Sequence, residues 1–281
     1  MLRPIALPST HMECRFLKET VPVLTDLLGF EVLAQGDKEA TLKHPNTDWL
    51  LFIHEAGPEA PVKEMHNHYG VRVATNQEVD AAYEYLTAHK EQYALEQIGK
   101  PAYSHGSYSL YFLEPGTNGW EIECYENFLR VPKSETMFGG VRTPHWANRF
   151  SPERFAGRGY VPQGFTHGTL AIGNVKVSER FYRDVLGLET YQANPRVIYT
   201  KHPNSKCYIV CAERKEWKSF SPNFRFTLLL SFRDEVADAH RRLSDSGKEL
   251  GVTELGELAH GGRSFVLRDP DRNCWEVSGQ N

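Results

Sequence analysis

Hydrophobic and polar positions alternate along the chain in two different rhythms. Short runs with a period of two are typical of half-buried strands, and longer stretches with apolar residues every three to four positions are typical of amphipathic helices. In the first part of the chain these patterns predict a strand, a helix and three strands, and then a second series of strand, helix and strands. The predicted segments are, in order, 7–15, 16–29, 30–34, 40–44, 49–54, 68–75, 78–90, 107–115 and 119–125.

The same series returns in the second part of the chain. Three sequence matches carry the repeat: LGFEVL at 28–33 with LGLETY at 186–191, KHPN at 43–46 with KHPN at 201–204, and Trp120-Glu121 with Trp275-Glu276. Matches in one order, all about 155 to 158 residues apart, indicate an internal duplication. We therefore predict two domains, at 1–127 and 165–281, joined by a linker at 128–164 that could act as a lid.

Composition and charge narrow the class of protein. Hydrophobic residues make up 40% and charged residues 24% of the 281 positions, as in ordinary packed domains. The net charge of −4 gives no basic footprint for nucleic acid, and no apolar run reaches the roughly 20 residues of a spanning helix. The N-terminal segment lacks a signal-peptide pattern, and the five cysteines are scattered. These features predict a cytoplasmic protein without nucleic-acid or membrane partners.

Three segments carry a resemblance to a known superfamily. FYRDVLGLE at 181–189 is a helix-end phrase, and EPGTNGWEIE at 114–123 and DPDRNCWEV at 269–277 are a turn followed by a strand. Together they resemble the vicinal oxygen chelate superfamily, which includes glyoxalase I, bleomycin-resistance proteins, epimerases and extradiol dioxygenases. The resemblance implies an α+β fold of two tandem domains. Each would consist of paired βαβββ units, with the sheet curled into a cup around a divalent metal ion.

The resemblance also implies where the metal ligands lie, namely on the first, fifth and last strands of a copy. Copy one offers His11, His68 and Glu121 at these places, with His66 as an alternative to His68 because both would project to one side. Copy two offers His167 and Glu276, but Arg225 and Phe226 stand where its second histidine should fall. Neither side chain can donate a lone pair to a metal. We therefore predict that copy one holds the metal and that copy two is mainly structural.

Residues 104–121 resemble the signature of type I extradiol ring-cleaving dioxygenases. The resemblance assigns His105 and Tyr111 to catalysis upstream of the ligand Glu121, and it places a further acid/base histidine at His54. Two imidazoles and one carboxylate leave open positions on Fe(II) for substrate and dioxygen, although manganese, zinc or nickel could use the same ligands. Val266 replaces the tyrosine in copy two, as expected for a decayed site.

Three classes of function follow from this reading. The leading hypothesis is an Fe(II)-dependent dioxygenase that cleaves the ring of a catechol-like or hydroquinone-like aromatic with O2. The alternatives are a metal-dependent lyase, isomerase or epimerase of the glyoxalase type, and a binding protein that sequesters a small molecule. We also expect a homo-oligomer, because domains that form such cups often assemble through exposed sheet edges.

Overall fold

The computed structural model describes residues 2–60, 67–104, 106–125 and 152–280. Seventeen strands are found there: β1 Ala6–Cys14, β2 Glu31–Gln35, β3 Glu39–Lys43, β4 Leu50–Glu55, β5 Tyr69–Arg72, β6 Gln97–Ile98, β7 Ala102–Ser104, β8 Ser107–Leu113, β9 Gly119–Cys124, β10 Gly164–Ile172, β11 Glu189–Asn194, β12 Val197–Lys201, β13 Tyr208–Glu213, β14 Arg225–Leu230, β15 Glu254–Leu255, β16 Ser264–Arg268 and β17 Cys274–Gly279. The helices are α1 Leu17–Pro22, α2 Asn76–Ala88, α3 Val175–Asp184 and α4 Arg233–Leu250, with a π-helical turn at Val23–Leu27 and a 3-10 turn at Pro152–Phe155. Among these helices, none is both long and apolar enough to cross a membrane.

The chain folds as two compact units whose limits differ from the predicted copies. Unit 1 comprises Met1–Met12 and Thr169–Asn281, and unit 2 comprises Glu13–Gly168. The boundaries fall inside β1 and β10, the first strands of the two copies. Most of β1 therefore belongs with the second copy, and the beginning of β10 belongs with the first. Residues 128–151 of the predicted linker lie outside the described residues.

In unit 2 the strands that matter for function lie side by side in the order β10, β5, β9, β8, β6, with β7 also paired to β8. The pairing of β5 with β9 is parallel, and those of β10 with β5 and of β8 with β9 are antiparallel. Helix α2 packs against β8 and β9. A separate antiparallel ladder in the same unit joins β2, β3 and β4.

Unit 1 repeats this arrangement with the equivalent elements. Its strands lie in the order β1, β14, β17, β16, β15, again with one parallel pair between β14 and β17. Helix α4 packs on β14, β16 and β17. A second ladder joins β11, β12 and β13, and α3 packs against all three of these strands. The duplication predicted from the sequence is therefore confirmed by two equivalent sets of elements.

Local sequence signals explain where the helices begin and end. Helix α2 begins with a capping box, in which the Thr75 side chain accepts the backbone N–H of Glu78 while the Glu78 carboxylate accepts that of Thr75. The helix predicted at 16–29 is regular only as far as Pro22 and continues in wider turns. Proline lacks the amide hydrogen for an ordinary helical bond, which disturbs the ladder. Gly29 then takes a left-handed φ of 79°, which ends the helix as predicted.

The turn before the last strand of each copy is held by a buried carboxylate. Glu114 accepts hydrogen bonds from the Gly116 and Asn118 amides, from the Asn118 side chain and from the Thr20 hydroxyl. In the other copy Asp269 similarly accepts the Asn273 amide and side chain. The turn segments that carry the family resemblance are thus structural. Their acidic residues satisfy backbone donors that would otherwise be buried without partners.

The repeated KHPN segments explain two of the histidines. His44 Nδ1 accepts the Asn46 amide and its Nε2 lies 3.3 Å from the Pro162 carbonyl oxygen. His202 makes the same pair of contacts, with the Asn204 amide and the Pro4 carbonyl. Burial, the largest effect, lowers the pKa of His44 to about 3, so this imidazole is neutral at physiological pH. Each segment includes a turn, and its histidine connects that turn to a distant part of the chain.

Candidate metal centre

Three elements of unit 2 bring two histidines and one glutamate together around a glycine. In the registers of β5, Gly70 pairs with Glu121 on β9 and with His167 on β10. His68 lies two residues before Gly70, so its side chain reaches the same face of the sheet. Since Gly70 has no side chain, the space between its two neighbouring strands is open to the groups on either side.

The donor atoms of this group nearly touch one another. Glu121 Oε2 lies 3.1 Å from His68 Nε2 and 3.2 Å from His167 Nε2, and the two imidazole nitrogens are 3.3 Å apart. All three side chains are largely buried, with exposed fractions of 12% for His68, 6% for Glu121 and 2% for His167. Among the described residues these three form a group able to hold a metal ion, with ligand atoms within 4.8 Å of one another.

Gly70 is required by the position of the His167 ring. A Cβ atom built on Gly70 would lie 2.1 Å from Cε1, 2.5 Å from Nδ1 and 2.8 Å from Nε2 of His167. These distances are far below van der Waals contact, so the imidazole occupies the volume that any other residue would fill. The glycine thus lets the first strand of one copy place a ring directly over a strand of the other copy.

Tyr111 lies next to the three residues and is directed at Glu121. The two residues are paired in the register of β8 with β9, and the Tyr111 hydroxyl donates a hydrogen bond of 2.7 Å to Glu121 Oε1. The Tyr111 ring also meets the His68 ring edge-on at 5.1 Å between centroids. Burial, followed by the nearby charge of Glu121, raises the pKa of Tyr111 well above its usual range. The phenol therefore keeps its proton at neutral pH.

The charges within the group stabilise one another. Burial alone would raise the pKa of Glu121, but hydrogen bonds and charge from His167 and His68 outweigh it and hold the pKa well below its usual range. Burial alone would likewise lower the pKa of His167. The charge of Glu123 and hydrogen bonds with Glu121 and Glu123 instead raise it to about 9. Glu121 is therefore held as an anion, and the protonated form of His167 is stabilised beside it.

This donor set fits a divalent metal ion. Two imidazole nitrogens and one carboxylate oxygen on adjoining strands are the ligand types that Fe(II), Zn(II) and similar ions take in proteins. Gly70 leaves room for the His167 ring, and the buried Glu121 carboxylate supplies negative charge beside both imidazoles. The chemistry of the donors does not choose one metal over another.

Of the predicted ligands, the structure brings His68 and Glu121 together but places His11 elsewhere. His11 lies in unit 1, where it pairs with Arg225 in the register of β1 with β14. Its Nε2 is 3.4 Å from Glu276 Oε2, and Arg225 Nε donates to the same oxygen at 2.9 Å. The expectation that each copy supplies its own first strand is therefore corrected. His167, from the first strand of copy two, stands beside His68 and Glu121.

The strand registers also show why the equivalent positions of the second set lack both histidines. Gly70 pairs with His167 in unit 2, and the corresponding residue of β14, Thr227, pairs with Ser9 in unit 1. Arg225 stands where His68 stands in the other unit, two residues before this pair. Only Glu276 keeps a ligand type, and there the guanidinium of Arg225 supplies the positive charge. The prediction that copy one alone supplies the metal ligands is corrected by His167, which comes from copy two. The structural role of the rest of copy two stays a prediction.

The Arg225–Glu276 pair leads to a prediction about acid stability. Burial would raise the pKa of Glu276, but the hydrogen bond with His11 and the charge of Arg225 outweigh it and hold the pKa at about 2. The unfolded chain then takes up a proton first as the pH falls, so this stabilisation is present above about pH 4.5 and is lost toward pH 2. We expect the difference in unfolding free energy between wild type and Glu276→Gln to shrink by about 3 kcal/mol from pH 6 to pH 2.

Urea unfolding at a series of pH values would measure this difference. Glu257→Gln provides the control, since it removes an exposed carboxylate of the same unit that lies outside this ion pair. A gap between wild type and Glu276→Gln that stays constant from pH 6 to pH 2 would contradict the ion-pair interpretation.

The remaining predicted residues have separate locations. His54 is the last residue but one of β4, and its Nδ1 lies 3.1 Å from Glu39 Oε1. It is not part of the group around Glu121. His66 and His105 lie outside the described residues, so their roles stay predictions. Tyr111 lies beside the proposed ligands, but its contact is with Glu121, and its part in catalysis is likewise a prediction.

Sequence reasoning missed the partnership of His167 with copy one and the buried residues around it. His167 was identified only as a remnant in copy two, because the repeat does not reveal that the first strands are exchanged. Arg72 and Glu123 were not identified at all. A usable signal was present, since Glu123 follows Glu121 by two residues and Arg72 is a charge within an apolar strand segment.

Both copies of the chain match a known superfamily in sequence. A sequence model of the Glyoxalase/Bleomycin resistance protein/Dioxygenase superfamily matches residues 15–122 and 164–277. The chain belongs to this superfamily. The two matched ranges correspond to the two copies, so both the duplication and the superfamily resemblance read from the sequence are confirmed. A comparison with curated proteins gives no match.

Solved structures of the superfamily share this fold over nearly the whole chain. Glyoxalase I from Zea mays aligns over 98% of this chain and 92% of its own, with a TM-score of 0.60 and 13% identity. A Bacillus subtilis protein described as a "putative dioxygenase" aligns over 99% of this chain and 86% of its own, with a TM-score of 0.60 and 10% identity. At such identities the likeness shows the fold alone and does not assign a reaction.

Proposed function

We propose that the protein is an Fe(II)-dependent dioxygenase that cleaves the ring of a catechol-like or hydroquinone-like aromatic. The observation that carries the proposal is the set of two histidines and one glutamate, His68, His167 and Glu121, gathered on one face of the sheet with Tyr111 beside it. Such a set is the usual ligand group of non-haem Fe(II) oxygenases, because it leaves neighbouring positions open. His167 thus replaces His11 in the proposed ligand set.

Within this proposal each residue has a definite task. An Fe(II) ion held by His68, His167 and Glu121 would supply Lewis acidity toward two adjacent substrate oxygens and a position for dioxygen. Tyr111 orients Glu121 by donating a hydrogen bond to Oε1, so that Oε2 faces the two histidines. The lone pairs of the Tyr111 oxygen can then accept a hydrogen bond from a substrate hydroxyl. In the overall reaction one ring C–C bond breaks and both atoms of O2 enter the product.

The test of the reaction class is oxygen consumption. Protein purified anaerobically and loaded with Fe(II) would be placed in an oxygen electrode with a panel of catechols and hydroquinones. Uptake of one O2 per molecule of substrate, without an added reductant, is the expected result. No uptake with any member of the panel, from protein that retains its iron, would overturn the dioxygenase proposal.

A lyase, isomerase or epimerase of the same superfamily is the second candidate. The observation that favours it is that, among the described residues, the group holds no histidine beyond the two proposed ligands. Proton transfer would then fall to Glu121 and Tyr111, which share a hydrogen bond. Such a reaction would proceed equally well under nitrogen, and turnover of a substrate without oxygen would therefore favour this class.

Removal of the Tyr111 hydroxyl should affect turnover more than metal binding. We expect Tyr111→Phe to lower kcat by about tenfold to a hundredfold, the usual range for losing one hydrogen bond to a charged group in a reacting site. Metal content should remain near that of wild type, because the three donors are unchanged. Tyr108→Phe serves as the control, since the Tyr108 hydroxyl binds Asp80 and is not part of the group. Equal kcat values in the two variants would contradict a role for Tyr111.

A further inference from the structure

Glu123 is a buried carboxylate close to the proposed metal ligands that has no part in the ligand set. It follows Glu121 by two residues on β9, so both side chains project from the same face of the sheet. Its side chain is only 1% exposed. A carboxylate is seldom buried to this degree unless it is paired and hydrogen-bonded, and its partners therefore show what it does.

The partners of Glu123 lead directly to His167. Glu123 Oε1 accepts a hydrogen bond of 2.7 Å from Arg72 Nη2 and one of 2.9 Å from the Thr166 hydroxyl. The same oxygen lies 3.6 Å from His167 Nδ1. Thr166 Oγ1 is also 2.9 Å from His167 Nδ1 and 3.0 Å from the Gly70 carbonyl oxygen. The threonine hydroxyl thus lies between the carboxylate and the imidazole.

Counting protons shows which tautomer of His167 this arrangement favours. The Glu123 carboxylate and the Gly70 carbonyl can only accept, so the single proton of the Thr166 hydroxyl goes to one of them. The contact with His167 Nδ1 is then satisfied only if the hydroxyl oxygen accepts, that is, if Nδ1 carries a proton. In the neutral ring the lone pair is left on Nε2, the atom that faces His68 and Glu121.

Arg72 offsets the energetic cost of burying the Glu123 carboxylate. Its side chain is 1% exposed, and its guanidinium both pairs with Glu123 and lies 4.6 Å from the centre of the Tyr125 ring. An unpaired carboxylate at this depth would cost several kcal/mol. With Arg72 in place, Glu123 remains an acceptor for the threonine hydroxyl.

The corresponding places in unit 1 contain none of these groups. In the parallel pairing of β5 with β9, Arg72 and Glu123 lie opposite each other, three residues after the pair of Tyr69 and Trp120. The pair equivalent to Tyr69 and Trp120 in unit 1 is Phe226 and Trp275. Three residues after it, Leu229 and Ser278 lie opposite each other. The buried ion pair therefore occurs in the unit that keeps both histidines and is missing from the unit that has lost them. A pair needed only for folding would be expected in both.

We propose that Glu123, acting through Thr166, is a positioning residue that holds His167 with its proton on Nδ1 and so presents the Nε2 lone pair to the metal ion. This inference rests on the proposed metal centre. Partners of this kind behind a ligating histidine typically change metal affinity by about tenfold to a hundredfold when they are removed.

The experiment compares zinc affinity among variants of the metal-free protein. Zn(II) is used as the probe because it needs no anaerobic handling, and its Kd is measured by competition with a chromophoric chelator. We expect Glu123→Gln and Thr166→Val each to weaken zinc binding by about tenfold to a hundredfold. Thr166→Ser should restore most of the affinity, since it keeps the hydroxyl. Nitrogen-15 NMR of the zinc-loaded protein should show a protected Nδ1–H of His167 that is lost in Thr166→Val.

Glu114→Gln is the control for a general loss of stability. Glu114 is also fully buried and hydrogen-bonded in unit 2, but it holds a turn and does not contact the histidines. We expect this variant to be destabilised while it binds zinc as wild type does. An equal loss of zinc affinity in Glu114→Gln and Glu123→Gln, at matched thermal stability, would overturn the positioning role.

The outcomes separate the two proposals. Zinc binding unchanged in Glu123→Gln and Thr166→Val, but lost in Glu121→Ala, would overturn the role of Glu123 and leave the metal centre standing. Zinc binding unchanged in Glu121→Ala would overturn the metal centre and, with it, the inference. Weakened binding in Glu123→Gln and Thr166→Val, recovered in Thr166→Ser, would support both.

Discussion

In a Glu121→Ala variant, we expect the affinity for a divalent metal ion to fall by about a hundredfold to a thousandfold. Glu121 is the only anion in the proposed ligand set, and Oε2 is within 3.2 Å of both histidine nitrogens. Removal of one partner from a buried charged group costs about 3–5 kcal/mol, and each 1.4 kcal/mol is a factor of ten in affinity. Metal content after dialysis, measured by mass spectrometry, and titration calorimetry would give the loss.

Glu276→Ala is the matched control, because Glu276 is the equivalent carboxylate of the duplicated strand. It contacts Arg225 and His11, so its removal should lower stability in unit 1 and leave metal content unchanged. A wild-type protein that holds about one ion per chain, and holds it equally well without Glu121, would show that the ion binds at another place.

Replacement of Gly70 by alanine should damage the same site by filling space. The added Cβ would lie 2.1 Å from Cε1 of His167, the residue paired with Gly70 on β10, so the ring would have to move. We expect a loss of about 1–3 kcal/mol in unfolding free energy, together with a displaced imidazole and a metal affinity at least tenfold weaker. Thermal unfolding and zinc titration of the same preparation would measure both effects.

Gly36→Ala is the comparison for this second variant. A Cβ on Gly36 would meet only the Glu39 carbonyl oxygen, at 3.9 Å, so the added methyl group has room. If Gly70→Ala matched Gly36→Ala in both stability and zinc affinity, the close approach of His167 to β5 would be wrong.

Much of the fold could be predicted from the sequence, because the repeat constrains it twice. The helix ending near Gly29 and the helix over 76–88 were predicted within a few residues, and so were most strands. The capping residues, the glycines and the alternation of apolar residues all act locally, and local signals survive in a single sequence. The wide turns after Pro22 were not predicted, since they depend on packing as well as on the proline.

The candidate site was only partly predictable, because the duplication gives the chain two similar first strands. His68 and Glu121 belong to one copy and to adjacent parallel strands, so the pattern of that copy was enough to associate them. Ser9, Thr10 and His11 have the same strand character as the first strand of copy two. Either strand could have completed the site. The pairing of β10 with β5, and of β1 with β14, determines which strand does so, and local sequence patterns do not predict these long-range pairings.

Because the proposed ligands come from both copies, the site can be completed only late in the synthesis of the chain. His167 follows His68 by 99 residues, and His68 and Glu121 are 53 residues apart. A growing chain that has completed only its first copy therefore has two of the three ligands and lacks the strand that covers Gly70. Closing so long a loop has an entropic cost that contacts in β10 must first offset. A metal ion at the proposed centre would thus bind tightly only once translation has passed β10.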